Sequence, residues 1–304
     1  IPENLFSTAK QAMVSTSHPL ATEAALEALK KGGNAVDAYL TAAIIQTVVE
    51  PCMTTLAGGL GITYYDAKTG KISDVGGGLA MPKNEIGELS SYDLTTGRTV
   101  LVPGYVAGIH AASKRFGRLS WPELFEPAIQ IAKNGFVIDH LQWGWVYEYS
   151  KWVGRFPEGR EIWYPDGYLL SVGDVFKQPR LAKTLERLVE EGPDYFYRGA
   201  WARKFVEMVQ AQGSRITLDD MMSFQTRSGG SWISEGTEEA EEVRRRGKYR
   251  EYEVEAPGNA MMIFGLNLVE EANLRSLGRP TESSEALYFL LRIVQEAWHT
   301  GMLY

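Results

Sequence analysis

From Ala35 to Val49 the chain is apolar on nearly every side, relieved only by Asp37, Gln46 and a few hydroxyls. A helix without a polar face must be covered all round, so this segment predicts an inner layer of a sandwich. Its start is marked locally. Residues 19–31 carry Leu20, Ala24, Leu26, Ala28 and Leu29 among charges, the pattern of an amphipathic helix. Gly32-Gly33 ends that helix, and Asn34 is suited to cap the next.

At 304 residues the chain can bury a large core, and no repeat or flexible linker divides it. We read residues 1–304 as a single domain. The net charge of -7 argues against nucleic acid as a partner, because phosphate binding needs a basic surface. No apolar run approaches the roughly 20 residues of a membrane span. Cys52 is the sole cysteine, which excludes an internal disulfide and fits a reducing, cytoplasmic compartment. Export stays open, since many secreted and periplasmic proteins lack cysteines too.

After Pro51 the pattern turns to glycine-rich loops and short strands. Residues 61–66 and 71–75 flank Ala67-Lys68-Thr69-Gly70, which predicts a hairpin. Residues 104–116 and 121–134 read as helices, the first opening behind Pro103. Residues 141–179 are dense in Trp, Tyr, Gly and Pro without a period, and predict ordered loops or short helices. Helices are expected over 180–191, 195–212 and 219–224, with Thr217 and Asp220 forming a capping box. Residues 249–255 alternate as one strand, and a long helix over 283–300 closes the sequence. Glu238–Glu242 followed by Arg244–Arg246 is the charge pattern of an exposed helix.

Candidate chemistry is sparse. Gly58-Gly59-Leu60-Gly61 and Gly76-Gly77-Gly78 lack the spacing of nucleotide-binding loops. They fit tight turns between strands, and for at least one of them we favour backbone donors lining a small-molecule pocket. Cys52 has no base beside it and reads as an inert thiol. Thr54 and Thr55 are internal, so neither can use its own α-amine as a base. His18, His110, His140 and His299 show no paired metal-ligand spacing, and we expect no metal. Trp143, Trp145, Tyr147, Tyr149, Trp152, Trp163 and Tyr164 could line a substrate mouth, with core or interface packing at least as good a reading.

An ordered series of short motifs adds what single residues do not. Met13-Val14-Ser15-Thr16, Gly32–Ala38, Gly58–Gly61, Val102-Pro103-Gly104-Tyr105-Val106-Ala107-Gly108, Trp121–Leu124, Ala132–Phe136, Gly192–Gly199 and Ile216–Asp220 follow one another over almost the whole chain. In that order they resemble the large subunit of the γ-glutamyltranspeptidase family, of the N-terminal-nucleophile hydrolase superfamily.

The resemblance implies an α+β fold, a four-layer αββα sandwich of which this chain supplies the large-subunit part. It implies a precursor that cuts itself, and a partner small subunit whose N-terminal threonine attacks an amide carbonyl with its own amine as base. No catalytic residue would then lie in this chain, no cofactor would be needed, and the assembly could be a dimer of such heterodimers. The true γ-glutamyl enzymes of the family carry an arginine after the second strand that grips the substrate α-carboxylate. Here the corresponding stretch is Asp74-Val75-Gly76-Gly77-Gly78-Leu79-Ala80-Met81-Pro82, and no arginine occurs before Arg98. We therefore expect Gly76, Gly77, Gly78, Leu79 and Ala80, with Gly58 and Gly59, to line a pocket for a small amide other than a γ-glutamyl one. A γ-glutamyl hydrolase or transferase acting on glutathione-like substrates is the alternative; a non-catalytic binding protein of the same fold is another. Residues 234–246 read as an insertion, and Pro257–Ala260 as an altered turn.

Overall fold

The computed structural model describes residues 8–84, 89–226, 246–256 and 260–303. Residues 234–245 of the expected insertion and charge run, and 257–259 of the altered turn, lie outside these residues. The chain divides into two compact units, one of residues 1–60 and 77–226, the other of 61–76 and 227–304.

The first unit is built around the apolar helix. α1 (Pro19–Lys30) and α2 (Ala35–Val49) are joined by Lys31–Asn34, and α2 packs against α1, α3 (Tyr105–Phe116) and α4 (Trp121–Asn134). Twelve residues of α2 are buried, which is why it needs no polar face. Asn34 Oδ1 accepts from the N–H groups of Val36 and Asp37, and Asp37 Oδ2 accepts from Asn34 N–H at 2.8 Å. This reciprocal cap satisfies donors that a buried helix start would otherwise leave without partners.

Asp37 does more than cap. Fully buried, its carboxylate also accepts from the backbone N–H of Arg118 at 3.0 Å and of Leu119 at 3.2 Å. Asn34 Nδ2 donates to Phe116 O at 2.6 Å. The α1–α2 turn is thereby tied to the α3–α4 turn. The glycines on both sides fit this approach: a Cβ on Gly33 would lie 3.1 Å from Leu119 Cδ1, and one on Gly117 3.0 Å from Asp37 Oδ1.

Short elements follow, as the aperiodic stretch predicts. They are β3 (Phe136–Val137), α5 (His140–Glu148), α6 (Ser150–Val153), α7 (Pro157–Trp163) and β4 (Val175–Phe176), the two strands pairing Phe136 with Phe176. Next come α8 (Pro179–Glu191), α9 (Pro193–Tyr197), α10 (Ala200–Gln210) and α11 (Leu218–Met222). The single helix expected over 195–212 is two. Gly199 causes the break: its N–H reaches back to Asp194 O at 2.7 Å, and a Cβ there would sit 2.6 Å from Tyr195 O.

In the second unit, β1 (Leu60–Asp66) and β2 (Lys71–Gly77) form the expected hairpin, each overrunning the division of the chain by one residue. The strand expected over 249–255 is a second hairpin, β5 (Arg246–Tyr249) with β6 (Tyr252–Glu255). Its turn holds Arg250 at φ 57°, a conformation disfavoured for a side-chain-bearing residue and so invisible to a rule based on glycine. Arg250 N–H donates to Glu270 Oε1 at 3.2 Å, which helps hold it there. α12 (Ala260–Glu271), which the sequence reading missed, packs on β5 and on α13 (Ser284–Leu303).

Candidate functional site

The glycine-rich segments meet at the start of α3. Gly58 O accepts from both Gly104 N–H and Tyr105 N–H at 3.1 Å, and Gly58 N–H donates to Thr55 O. Gly77 lies against the same helix: a Cβ on it would be 2.5 Å from Gly104 O and 2.7 Å from Gly108 Cα. A Cβ on Gly104 would overlap Gly78 O and approach Phe224 Cζ at 2.5 Å. The Gly77–Gly78 segment and the start of α3 thus cross at distances that only glycine permits, and the Gly58 segment joins them through its carbonyl. The motif Val102–Gly108 is the helix side of that crossing, and Gly58, Gly77 and Gly78 are the other sides.

Tyr197 completes it. The buried hydroxyl donates to Pro103 O at 2.9 Å and accepts from Ala107 N–H at 3.1 Å, spanning the first turn of α3. Burial pushes its pKa far up, the Ala107 bond offsetting part of that, so the phenol stays neutral. Phe224 stacks on it at 5.7 Å. Early N–H groups of α3 are consequently spent on Gly58 O and Tyr197 Oη, which argues against an anion cradle at this helix start. Nothing in the sequence singled out Tyr197 or Phe224 beyond membership of Gly192–Gly199 and proximity to Ile216–Asp220.

Beyond the crossing, Gly78–Pro82 runs as an edge. Ala80 exchanges both backbone bonds with Val102, at 3.0 and 2.8 Å. Leu79 and Ala80 are partly exposed and Met81 is 58% exposed. Lys83 follows, its ammonium 2.6 Å from Asp219 Oδ2 with both groups in solvent. Lys83 N–H donates to Asp220 Oδ1 at 3.0 Å, while Asp220 Oδ2 takes Thr217 N–H and hydroxyl at 2.8 and 2.7 Å. Burial alone would raise the Asp220 pKa; the Thr217 and Lys83 bonds and the Lys83 charge outweigh it and hold the carboxyl below its usual range. Of the glycines expected to line a pocket, Gly58, Gly77 and Gly78 come together here. Gly59 follows directly on Gly58, and Gly76 falls in the other unit.

The aromatic block divides. Trp163 is buried and stacks on Phe176 at 4.4 Å, whereas Tyr147 and Trp152 face solvent. An apolar cleft opens beside it, lined by Pro51, Cys52, Met53, Ile138, Trp145 and Trp163 among others. Burial raises the Cys52 thiol pKa, the opposite of what a nucleophile needs. His18 caps α1, its Nδ1 accepting from Leu20 N–H at 3.2 Å, and His110 packs edge-on to Trp121. Among the described residues no three His, Cys, Asp or Glu side chains are grouped to hold a metal, and no helix is long and apolar enough to cross a membrane.

Comparison with known proteins agrees with this arrangement. The sequence profile of the gamma-glutamyltranspeptidase family matches residues 21–297. The glutathione hydrolase proenzyme of Bacillus subtilis strain 168 is 32% identical over 225 residues, 71% of this chain but 38% of that protein. That of Escherichia coli K12 is 27% identical over 285 residues, 89% of this chain and 47% of its own length. The chain thus spans less than half of the curated relatives it matches. The crystal structure of Helicobacter pylori gamma-glutamyltranspeptidase superposes with a TM-score of 0.83 at 26% identity, covering 96% of this chain and 84% of that one. The fold is therefore the α+β fold of the N-terminal-nucleophile hydrolases, and the chain belongs to the γ-glutamyltranspeptidase family.

Proposed function

We propose that this chain is the large-subunit part of an amide-cleaving enzyme, and that its substrate is a small amide whose acyl group carries no carboxylate at the Gly78 edge. The single observation behind the substrate assignment is the composition of that edge. The stretch Gly76–Ala80, read as corresponding to the arginine of γ-glutamyl enzymes, holds no arginine, and the one cation close in sequence, Lys83, sits beside Asp219. A carboxylate brought to an edge without a bidentate donor would lose water for little return.

The nucleophile would be an N-terminal threonine on a partner polypeptide, its free amine taking the proton as the hydroxyl attacks the carbonyl. The C–N bond would then break, the amine leaving with that proton, and the acyl-enzyme would pass its acyl group to water or to a second amine, with backbone N–H groups facing the oxyanion. The relatives named as proenzymes support processing from a precursor. The surface of α13 supports a partner: Leu287, Leu291, Val294 and Trp298 recur at helical spacing, each between 44% and 59% exposed. A continuous apolar stripe of this kind fits a surface that another polypeptide covers.

A second reading, genuine γ-glutamyl hydrolysis or transfer, is favoured by the names of the relatives, which are glutathione hydrolases. One assay separates the two. Turnover of γ-glutamyl-p-nitroanilide is compared with that of simple acyl amides and oxamate, and faster γ-glutamyl turnover overturns the substrate assignment. Denaturing mass spectrometry of the active material should find a second chain beginning with threonine. An intact single chain, inert to every amide, would leave the binding-protein reading standing.

A further inference from the structure

We infer that Asp220 is a positioning residue for the substrate edge, holding Gly78–Pro82 in place through the backbone N–H of Lys83. The inference rests on the proposed reading of that edge as part of the acyl pocket. The edge is a single extended segment leaving the glycine crossing, with one bridge, Ala80 to Val102, fixing its middle. Past that bridge Met81, Lys83 and Asn84 are exposed; Pro82 is buried and seats its ring by packing, but offers no N–H for a directional bond. The side-chain pair of Lys83 with Asp219 lies in solvent and contributes little rigidity. Arg215 reaches Asn84 O only at 3.4 Å.

Asp220 differs from these contacts in kind. It is 4% exposed and sits in the first turn of α11, and its two oxygens divide their work. Oδ2 serves its own helix by taking Thr217 N–H and hydroxyl, while Oδ1 crosses to Lys83 N–H. An ordinary capping box needs only the first of these functions. The second ties a helix to a segment 137 residues earlier in the chain. A charged acceptor on a backbone donor is a strong, directional bond, and it stops the free end of the edge from swinging away from the pocket.

The test uses the assembled enzyme and three variants. Asp220→Asn keeps the shape but leaves one oxygen for two sets of donors. Thr217→Ala weakens the same helix cap without touching Lys83 N–H. Lys83→Met removes the solvent ion pair and keeps the backbone bond. Asp220→Asn should raise KM about tenfold with kcat within threefold, and should speed amide exchange at Lys83 at least tenfold. Thr217→Ala and Lys83→Met should keep KM within threefold of the parent, even where Thr217→Ala lowers the melting temperature. An unchanged KM in an active Asp220→Asn enzyme overturns the inference alone, as does a Thr217→Ala enzyme with the same KM defect. A parent enzyme inert to every amide overturns the functional reading instead, and exchange at Lys83 then decides whether the Asp220 clamp exists.

Discussion

Replacing Asp37 with asparagine tests whether the most distinctive motif of the chain is a structural staple. The carboxylate is 0% exposed and receives backbone N–H groups from Asn34, Arg118 and Leu119. Asparagine fills the same volume but has one acceptor oxygen. If that oxygen keeps Arg118 and Leu119, the new NH2 faces Asn34 N–H, and two donors oppose each other. Losing one charged-acceptor bond costs roughly 1.5–3 kcal/mol and stranding a buried donor roughly 1–3 kcal/mol, so about 3 kcal/mol, near the low end of the sum, is expected. For a unit of this size that corresponds to an apparent melting point lower by about 6–12 °C. Differential scanning fluorimetry gives the shift, and amide exchange locates it: the stranded Asn34 N–H should lose protection, while Arg118 and Leu119, 81 and 82 residues away in sequence, keep their acceptor. Asn34→Ala should cost about 1 kcal/mol as a lost N-cap, plus its bond to Phe116 O. The double variant should cost less than the sum, because both residues belong to one network. A melting point within about 1 °C of the parent for Asp37→Asn would refute the staple.

Other perturbations probe the crossing and the first helix. Gly104→Ala should prevent correct folding or cost at least about 3 kcal/mol, since the new Cβ overlaps Gly78 O, whereas Gly61→Ala, with nothing within 4 Å, should change stability by less than about 0.5 kcal/mol in the same melt. Tyr197→Phe should lower stability by about 1–3 kcal/mol and speed exchange at Ala107, because one hydroxyl serves Pro103 O and Ala107 N–H. His18 sets an acid limit. Burial lowers its pKa below the ordinary 6.5, with Glu50, Asp139 and Glu23 opposing, so the folded chain binds the proton less readily than the unfolded one. Its stabilising cap is therefore intact above pH 6.5 and weakens as pH falls below it. Melting curves from pH 7.5 to 5 should fall faster for the parent than for His18→Asn, which caps without titrating; parallel curves would contradict this.

Much of the fold could be read locally. The bounds of α2 and α4, the Asn34 cap and the Thr217–Asp220 box follow from residues within four positions of one another, where side chain and backbone alone decide the outcome. The misreadings have equally local causes. Arg250 turns a hairpin from a conformation that sequence rules assign to glycine, and Gly199 breaks a helix by approaching Tyr195 O. The lone charge in an apolar helix start did mark Asp37 as unusual. What it binds could not be read, because its partners are backbone amides brought near only when the α3–α4 turn packs down.

The same division holds for the candidate site. The order of the motifs fixed the family, and the absence of arginine between Ile1 and Gly97 bears on the substrate without any coordinates. The glycines of those motifs carry no side chain from which a purpose could be read. Tertiary structure decided that Gly58, Gly77, Gly78, Gly104 and Gly108 are one crossing, that Tyr197 bolts it, and that Asp220 reaches Lys83. Close backbone approach and bonds to distant amides depend on three-dimensional proximity, and no spacing along the chain encodes that.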